Sequence, residues 1–345
     1  MKTAAAILTA GVSGLAITAI LGLVFVPWLR RLRFGRTVLE ACEEKLTGKD
    51  APTMGGIFLI FGTCAAILLT VLTDKIMGGN ITASGSVIPS EMYTKLLSGI
   101  LTAIAFGFIG FVDDYARSVK GMNLGMTVRE KTVLQLVTCV AYLTSLFMSM
   151  QGEPYMFIPF VGTVSMGFFY WIFGIVYIFS AVNAVNYTDG IDGLCGGLTL
   201  TTALAIGVAA ALKGFFGFSM ASAALVGACL GFLVWNRHPA KVRMGEGGSM
   251  FLGGMVVALA YAIGCPLILL PAGIVFFIEG GSKVLQVLYY KTSGGKKLLK
   301  SAPLHRHLEM NGMSERKIAL ILIAVNILGG VAAVAVLYCG GYILR

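Results

Sequence analysis

The chain has 345 residues, 57% of them hydrophobic and only 12% charged, with a mean hydropathy of +0.87. A water-soluble domain cannot bury that much apolar surface, so composition excludes a soluble enzyme and assigns an integral membrane protein. The net charge of +10 is spread over many short loops without a recognition motif, which excludes nucleic acid as a partner.

A membrane-crossing helix needs about 20 mostly apolar residues. Ten stretches meet or approach that length: 4–29, 55–72, 96–112, 133–150, 163–182, 194–212, 220–236, 249–263, 267–288 and 318–338. The eighth is short, and an interruption of the ninth is expected at Glu279, Gly280, Gly281 and Ser282. None shows the alternation of a barrel strand, so the expected fold is all-α: a polytopic membrane protein of about ten transmembrane helices, with one domain over 1–345. The first stretch has Lys2 before it and Arg30, Arg31, Arg33 and Arg36 after it. That is the reverse of a cleaved signal peptide, so it reads as a retained span with its N-terminus outside. On this topology 20 of the 26 Lys and Arg fall in inner loops, as the positive-inside rule requires, and both termini lie outside. An inner face so basic attracts anionic lipid heads and phosphorylated substrates. The seven cysteines form no CxxC pair, and no disulfide or metal use is read from them.

Four polar segments fall on the inner side: 111–115 (FVDDY), 183–192 (NAVNYTDGID), 244–249 (MGEGGS) and 303–307 (PLHRH). Asp113 and Asp114 stand at the inner end of the third span, where adjacent carboxylates repel and oppose the helix dipole. A divalent cation is the usual compensation. Segment 183–192 offers Asn183, Asn186, Asp189 and Asp192 ahead of a helix start, where amides can read a base or sugar and the N-terminus can hold phosphate. Around Glu246, glycines allow close backbone approach to an anion, and the carboxylate is a candidate metal ligand. His305, Arg306 and His307 suit a diphosphate better than zinc, for which ligands are too few. Glu279 and Lys283 lie four apart within the ninth span, where charges are costly and usually paired. A transporter would carry its charges at mid-span, and this pair alone approaches that pattern. Polar groups gathered at span ends fit an enzyme of the membrane surface.

Together these segments, with 51–57 (APTMGGI) and the stretch from Asn236 to Gly254, resemble the phospho-N-acetylmuramoyl-pentapeptide transferase family along the whole chain. The resemblance implies transfer of a phospho-sugar from UDP-N-acetylmuramoyl-pentapeptide to undecaprenyl phosphate, releasing UMP and forming lipid I. It also implies a cytoplasmic-face cleft, Mg2+ dependence, a homodimer and residence in the bacterial inner membrane. By the same resemblance Asp113, Asp114 and Asp189 are catalytic, with Asp113 the favoured base. Glu246, Asp113 and Asp114 are the metal ligands. Thr53, Asn186, Asp192, Asn236, Arg243, His305, Arg306 and His307 are the substrate contacts, with Lys49 a further candidate. This chain departs from the family where Arg243 and Glu246 stand in a usual Phe-Met-Gly-Asp, and where Arg306 replaces the middle histidine of three. Those departures keep a sister reading open, transfer of N-acetylglucosamine-1-phosphate or a related sugar phosphate to the same lipid.

Overall fold

A computed structural model describes residues 3–32, 51–81, 89–119 and 125–342. In hydrocarbon every backbone N–H and C=O must find a partner within the chain, and the apolar stretches do so as helices. In chain order these are α1 (Thr3–Leu32), α2 (Gly56–Ile76), α3 (Pro89–Val119), α4 (Val128–Ser149), α5 (Phe169–Asn186), α6 (Leu194–Leu212), α7 (Phe216–Asn236) and α8 (Glu246–Ala262). After them come α9 (Leu269–Ala272), α10 (Ile274–Thr292), α11 (Leu304–Met310) and α12 (Glu315–Cys339). Eight are long and apolar enough to cross a membrane, and the bent pair Pro266–Ala272 and Ile274–Thr292 makes a ninth. The remaining stretch is α8, which has 17 residues. Each of the ten expected stretches thus contains a helix, and the chain is an all-α polytopic membrane protein.

At 17 residues α8 is about 26 Å long, short of the roughly 30 Å hydrocarbon thickness. It is buried from Gly247 to Ala262 because α2, α3, α5 and α6 pack around it. Such packing needs small residues where backbones meet. A Cβ on Gly110 of α3 would lie 2.4 Å from the Glu246 carbonyl oxygen and 2.7 Å from the Gly247 nitrogen. On the opposite flank, a Cβ on Gly56 of α2 would lie 2.2 Å from the Gly248 Cα. Elsewhere α1 packs along α7, and α12 along α6.

Two features differ from the sequence expectation. The ninth stretch does not break at Glu279 to Ser282, where α10 runs unbroken; the 84° bend lies at Gly273, between Ala272 and Ile274. The charge of Glu279 is accommodated by side-chain pairing, so the helix has no need to open there. The fifth stretch starts as a strand: β1 (Tyr155–Ile158) pairs antiparallel with β2 (Gly162–Ser165), Tyr155 opposite Ser165. This hairpin is pinned where Phe157 N–H donates to Gly264 O and Phe160 N–H to Gly340 O. It therefore covers the bundle end where α8 and α12 finish. The other end gathers the C-terminal ends of α3, α5 and α7 and the N-terminal ends of α4, α6, α8 and α12.

Gly110→Ala places a methyl against backbone that cannot yield, so it should cost about 1–3 kcal/mol and lower the melting temperature in detergent. Gly281→Ala, with nothing within 4 Å of its added Cβ, should leave it unchanged. Equal melting temperatures for the two would mean that α3 and α8 do not meet at their backbones.

Candidate active site

The polar end encloses a cavity of about 810 Å³. At the inner end of α3, Asp113 is fully buried, and each of its carboxylate oxygens has a partner. Met126 N–H donates to its Oδ1 at 2.7 Å, Arg117 Nη2 donates to Oδ2 at 2.7 Å, and Lys131 Nζ lies 3.4 Å from Oδ2. The same two cations meet Glu246: Arg117 lies 3.0 Å from Oε1, and Lys131 bonds Oε2. Two carboxylates and two cations therefore close a ring across α3, α4 and α8. Lys131 is placed by a capping box, in which the Thr127 hydroxyl accepts the Glu130 N–H and Glu130 accepts the Thr127 N–H. One residue along α3, about 100° around the helix, Asp114 turns away from this ring and accepts the Gly247 N–H at 3.1 Å. A carboxylate at that helix N-terminus is well placed against the dipole.

The α5–α6 connection supplies the facing wall. Asn183 pairs with the buried Gln135 of α4, donating to its Oε1 at 3.0 Å, and Asn186 accepts the Ser249 hydroxyl at 2.7 Å. Burial pushes the Asp189 carboxyl up to about 7; the negative charges of Asp114 and Glu246 add to this, while Gly245 N–H and Arg243 work against it. Asp192 accepts the Ala240 N–H at 3.0 Å and meets His238 Nδ1 at 3.2 Å, and that nitrogen lies 3.4 Å from Glu315. Asn236 is a clamp: its Oδ1 accepts Gly193 N–H and its Nδ2 donates to Val242 O. Arg243 and Thr53 share one tie, since Arg243 N–H donates to Pro52 O and Gly55 N–H to Arg243 O.

Thr53, Asp113, Asp114, Asn186, Asp189, Asp192, Asn236, Arg243, Glu246, His305 and Arg306 all line the cavity. His307 does not. Its Nδ1 accepts the Lys300 N–H and its Nε2 faces Asn311 Nδ2, so it holds the preceding loop. The reason is helical: positions two apart on α11 point to nearly opposite sides, and His305 takes the inner one. Lys49 lies outside the described residues. The expected ligands Asp113, Asp114 and Glu246 do not draw together as a tight trio. Among the described residues, the group whose three ligand atoms lie within 4.8 Å of one another is Asp192, His238 and Glu315.

Sequence reading missed Lys131, Arg117, Gln135 and Glu315 as parts of this site. Lys131 was counted only among the basic residues of the inner loops. The spacing of Arg117 held a clue: it is one helical turn beyond Asp113, which favours an ion pair.

A family model described as glycosyl transferase family 4 matches residues 96–264. The chain is 38% identical over 316 residues to a phospho-N-acetylmuramoyl-pentapeptide-transferase of Desulforamulus reducens, covering 90% of this chain and 89% of the relative. It is 38% identical over 320 residues to one from Halalkalibacterium halodurans, covering 92% and 93%. For one from Listeria innocua the figures are 34% over 317 residues, covering 91% and 92%.

A carboxyl raised in the folded chain costs stability once it ionises. The contribution of neutral Asp189 is present at low pH and is lost as pH rises through about 7. Between pH 5.5 and 8.5, in divalent-free detergent, wild type should therefore lose melting temperature relative to Asp189→Asn. Parallel curves would contradict the raised carboxyl.

Proposed function

We infer the activity from kinship and cleft together: the chain belongs to the phospho-N-acetylmuramoyl-pentapeptide transferase family. It transfers phospho-N-acetylmuramoyl-pentapeptide from its UDP-linked donor to undecaprenyl phosphate, yielding lipid I and UMP. The observation that carries this reading is the meeting of four polar segments, remote in sequence, around one cavity at one end of the bundle. The cleft faces the cytoplasm of a bacterial inner membrane, in keeping with the basic residues on that side. There one substrate arrives from water and the other by diffusion in the leaflet. A homodimer follows from family resemblance alone.

Phosphoryl transfer asks a protein for in-line positioning and charge neutralisation more than for covalent help. Arg117 and Lys131, anchored by Asp113, stand where phosphate oxygens can exchange with the carboxylates they now hold. Arg243, Lys283, His305 and Arg306 add donors around the same cavity. With both oxygens of Asp113 engaged, this reading gives it the part of holding those cations. Asp189, at about 7, is matched to taking the last proton of the lipid phosphate, whose second pKa is about 6. Direct attack by the lipid phosphate then needs no covalent enzyme intermediate.

The donor set also suits magnesium. All the candidate ligands are hard carboxylate oxygens, the kind magnesium prefers. Glu246 and Asp114 would hold the ion with substrate phosphates and water, since magnesium takes few protein ligands. When bound, it supplies further neutralisation of charge on the bridging oxygens.

In detergent, UMP release from the pentapeptide donor should require Mg2+. It should fall by at least about 100-fold in Asp113→Asn, which frees both cations from their anchor. Glu246→Asp should retain activity. Full activity in Asp113→Asn would remove the charge ring from the mechanism, and release with only a different UDP-sugar would favour the sister transferase.

A further inference from the structure

We propose that Glu279 is a positioning residue for the transfer reaction: together with Gly190 it seats His305 so that Nε2 alone is presented to the phosphate groups in the cleft. Glu279 lies on α10 with no exposed surface, and a carboxylate within a membrane-spanning helix marks a functional or paired site. Among the described residues its carboxylate bonds only to His305. The His305 backbone N–H donates to Oε1 at 3.1 Å and Oε2 at 3.2 Å, and Nδ1 lies 3.0 Å from Oε2. Ser282, three residues along α10, accepts the Leu304 N–H at 3.0 Å, so both side chains take up N–H groups from the first turn of α11.

Capping alone would explain the backbone contacts. It does not explain the ring contact, which makes Nδ1 the donor and fixes the tautomer. Nε2 is then the one ring nitrogen left without a partner among the described residues. It accepts a proton when the ring is neutral and donates to a phosphate oxygen when the ring is charged. His305 is 1% exposed yet lines the cavity, so the ring meets the cleft by an edge.

Gly190 sets where that edge lies. A Cβ there would sit 2.0 Å from His305 Nε2 and 2.7 Å from Cε1. The loop carrying Asp189 and Asp192 thus closes onto the imidazole through the one residue that has no side chain. Glu279 holds the ring from behind, and Gly190 leaves room in front. The charged groups sharing this part of the cavity are Asp189, Asp192, Lys283 and Arg306. A carboxylate that orients a histidine through its remote nitrogen works from outside the reacting atoms, and losing such a partner typically costs roughly 10- to 100-fold in activity.

The inference rests on the transferase reading, so wild-type UMP release from UDP-N-acetylmuramoyl-pentapeptide is measured first. If wild type is inactive, that reading fails and not this one. In active enzyme, Glu279→Gln should lower kcat by roughly 10- to 100-fold with little change in donor KM. Its amide offers one acceptor oxygen where the carboxylate offers two, so the ring and the His305 backbone N–H compete for it. In a His305→Ala background the same change should have no further effect on kcat, because its target is gone. Gly190→Ala, which leaves Glu279 untouched, should lower kcat similarly and is likewise silent in His305→Ala. The proposal is overturned if Glu279→Gln keeps wild-type kcat, or if the losses multiply in the double variants, as a purely structural role requires. Should Glu279→Gln fail to fold, Gly190→Ala alone and with His305→Ala decides by the same criteria.

Discussion

The first turn of α8 is the joint on which the site depends. It is too short a helix to reach both surfaces of the hydrocarbon and has no lipid-facing side, so its position is set by backbone contact. Gly110 of α3 and Gly56 of α2 let two helices approach Glu246, Gly247 and Gly248 to distances no side chain would permit. That approach puts Asp114 on the Gly247 N–H and brings Arg117 to Glu246. It also brings Thr53 and Arg243 together, because the chain entering α2 hydrogen-bonds across residues 243 and 244. Moving α8 by one ångström would displace every one of these groups at once.

Charge then organises what packing has brought near. Asp113 and Glu246 would repel each other across the cleft floor, and Arg117 and Lys131 join them instead. Breaking one member of such a buried group strands the others, which is why a ring of this kind is held as a unit. Yet the cations are only partly enclosed, with about half of the Arg117 side chain exposed. An incoming diphosphate offers them negatively charged oxygens that can replace those of the carboxylates. On the proposed reading the resting ring is a preorganised phosphate site whose positive groups are occupied by the protein's own anions.

How much of this could be read from the chain follows from what each level of structure depends on. Spans were legible because lipid forces apolar stretches into helices, and each of the ten contains one. The four polar segments were legible because they interrupt that pattern on one side. Three-dimensional neighbours were not. Nothing in the spacing of Lys131 shows that it reaches Glu246, 115 residues away. His305 and His307 look equivalent in sequence, and only the start of α11 decides which one turns inward. Glu279 looked like a break because its partner, His305, is 26 residues further on. The hairpin of β1 and β2 was hidden because its second strand begins the apolar run that continues into α5.

The two departures from the family pattern in the α7–α8 connection act on the same neighbour. Arg243 adds a positive charge where an aromatic ring is usual, and it pulls the Asp189 carboxyl down. Glu246, longer by one methylene than the usual aspartate, carries the negative charge that pushes Asp189 up. Arg243 and Glu246 lie three residues apart at the turn into α8, and their opposite charges act on Asp189 in opposite directions. The added methylene also accounts for how Glu246 reaches both Arg117 and Lys131 from the start of the helix. An aspartate there would sit closer to the backbone, leaving the cations to Asp113, and an aromatic ring at 243 would leave Asp189 without its positive neighbour.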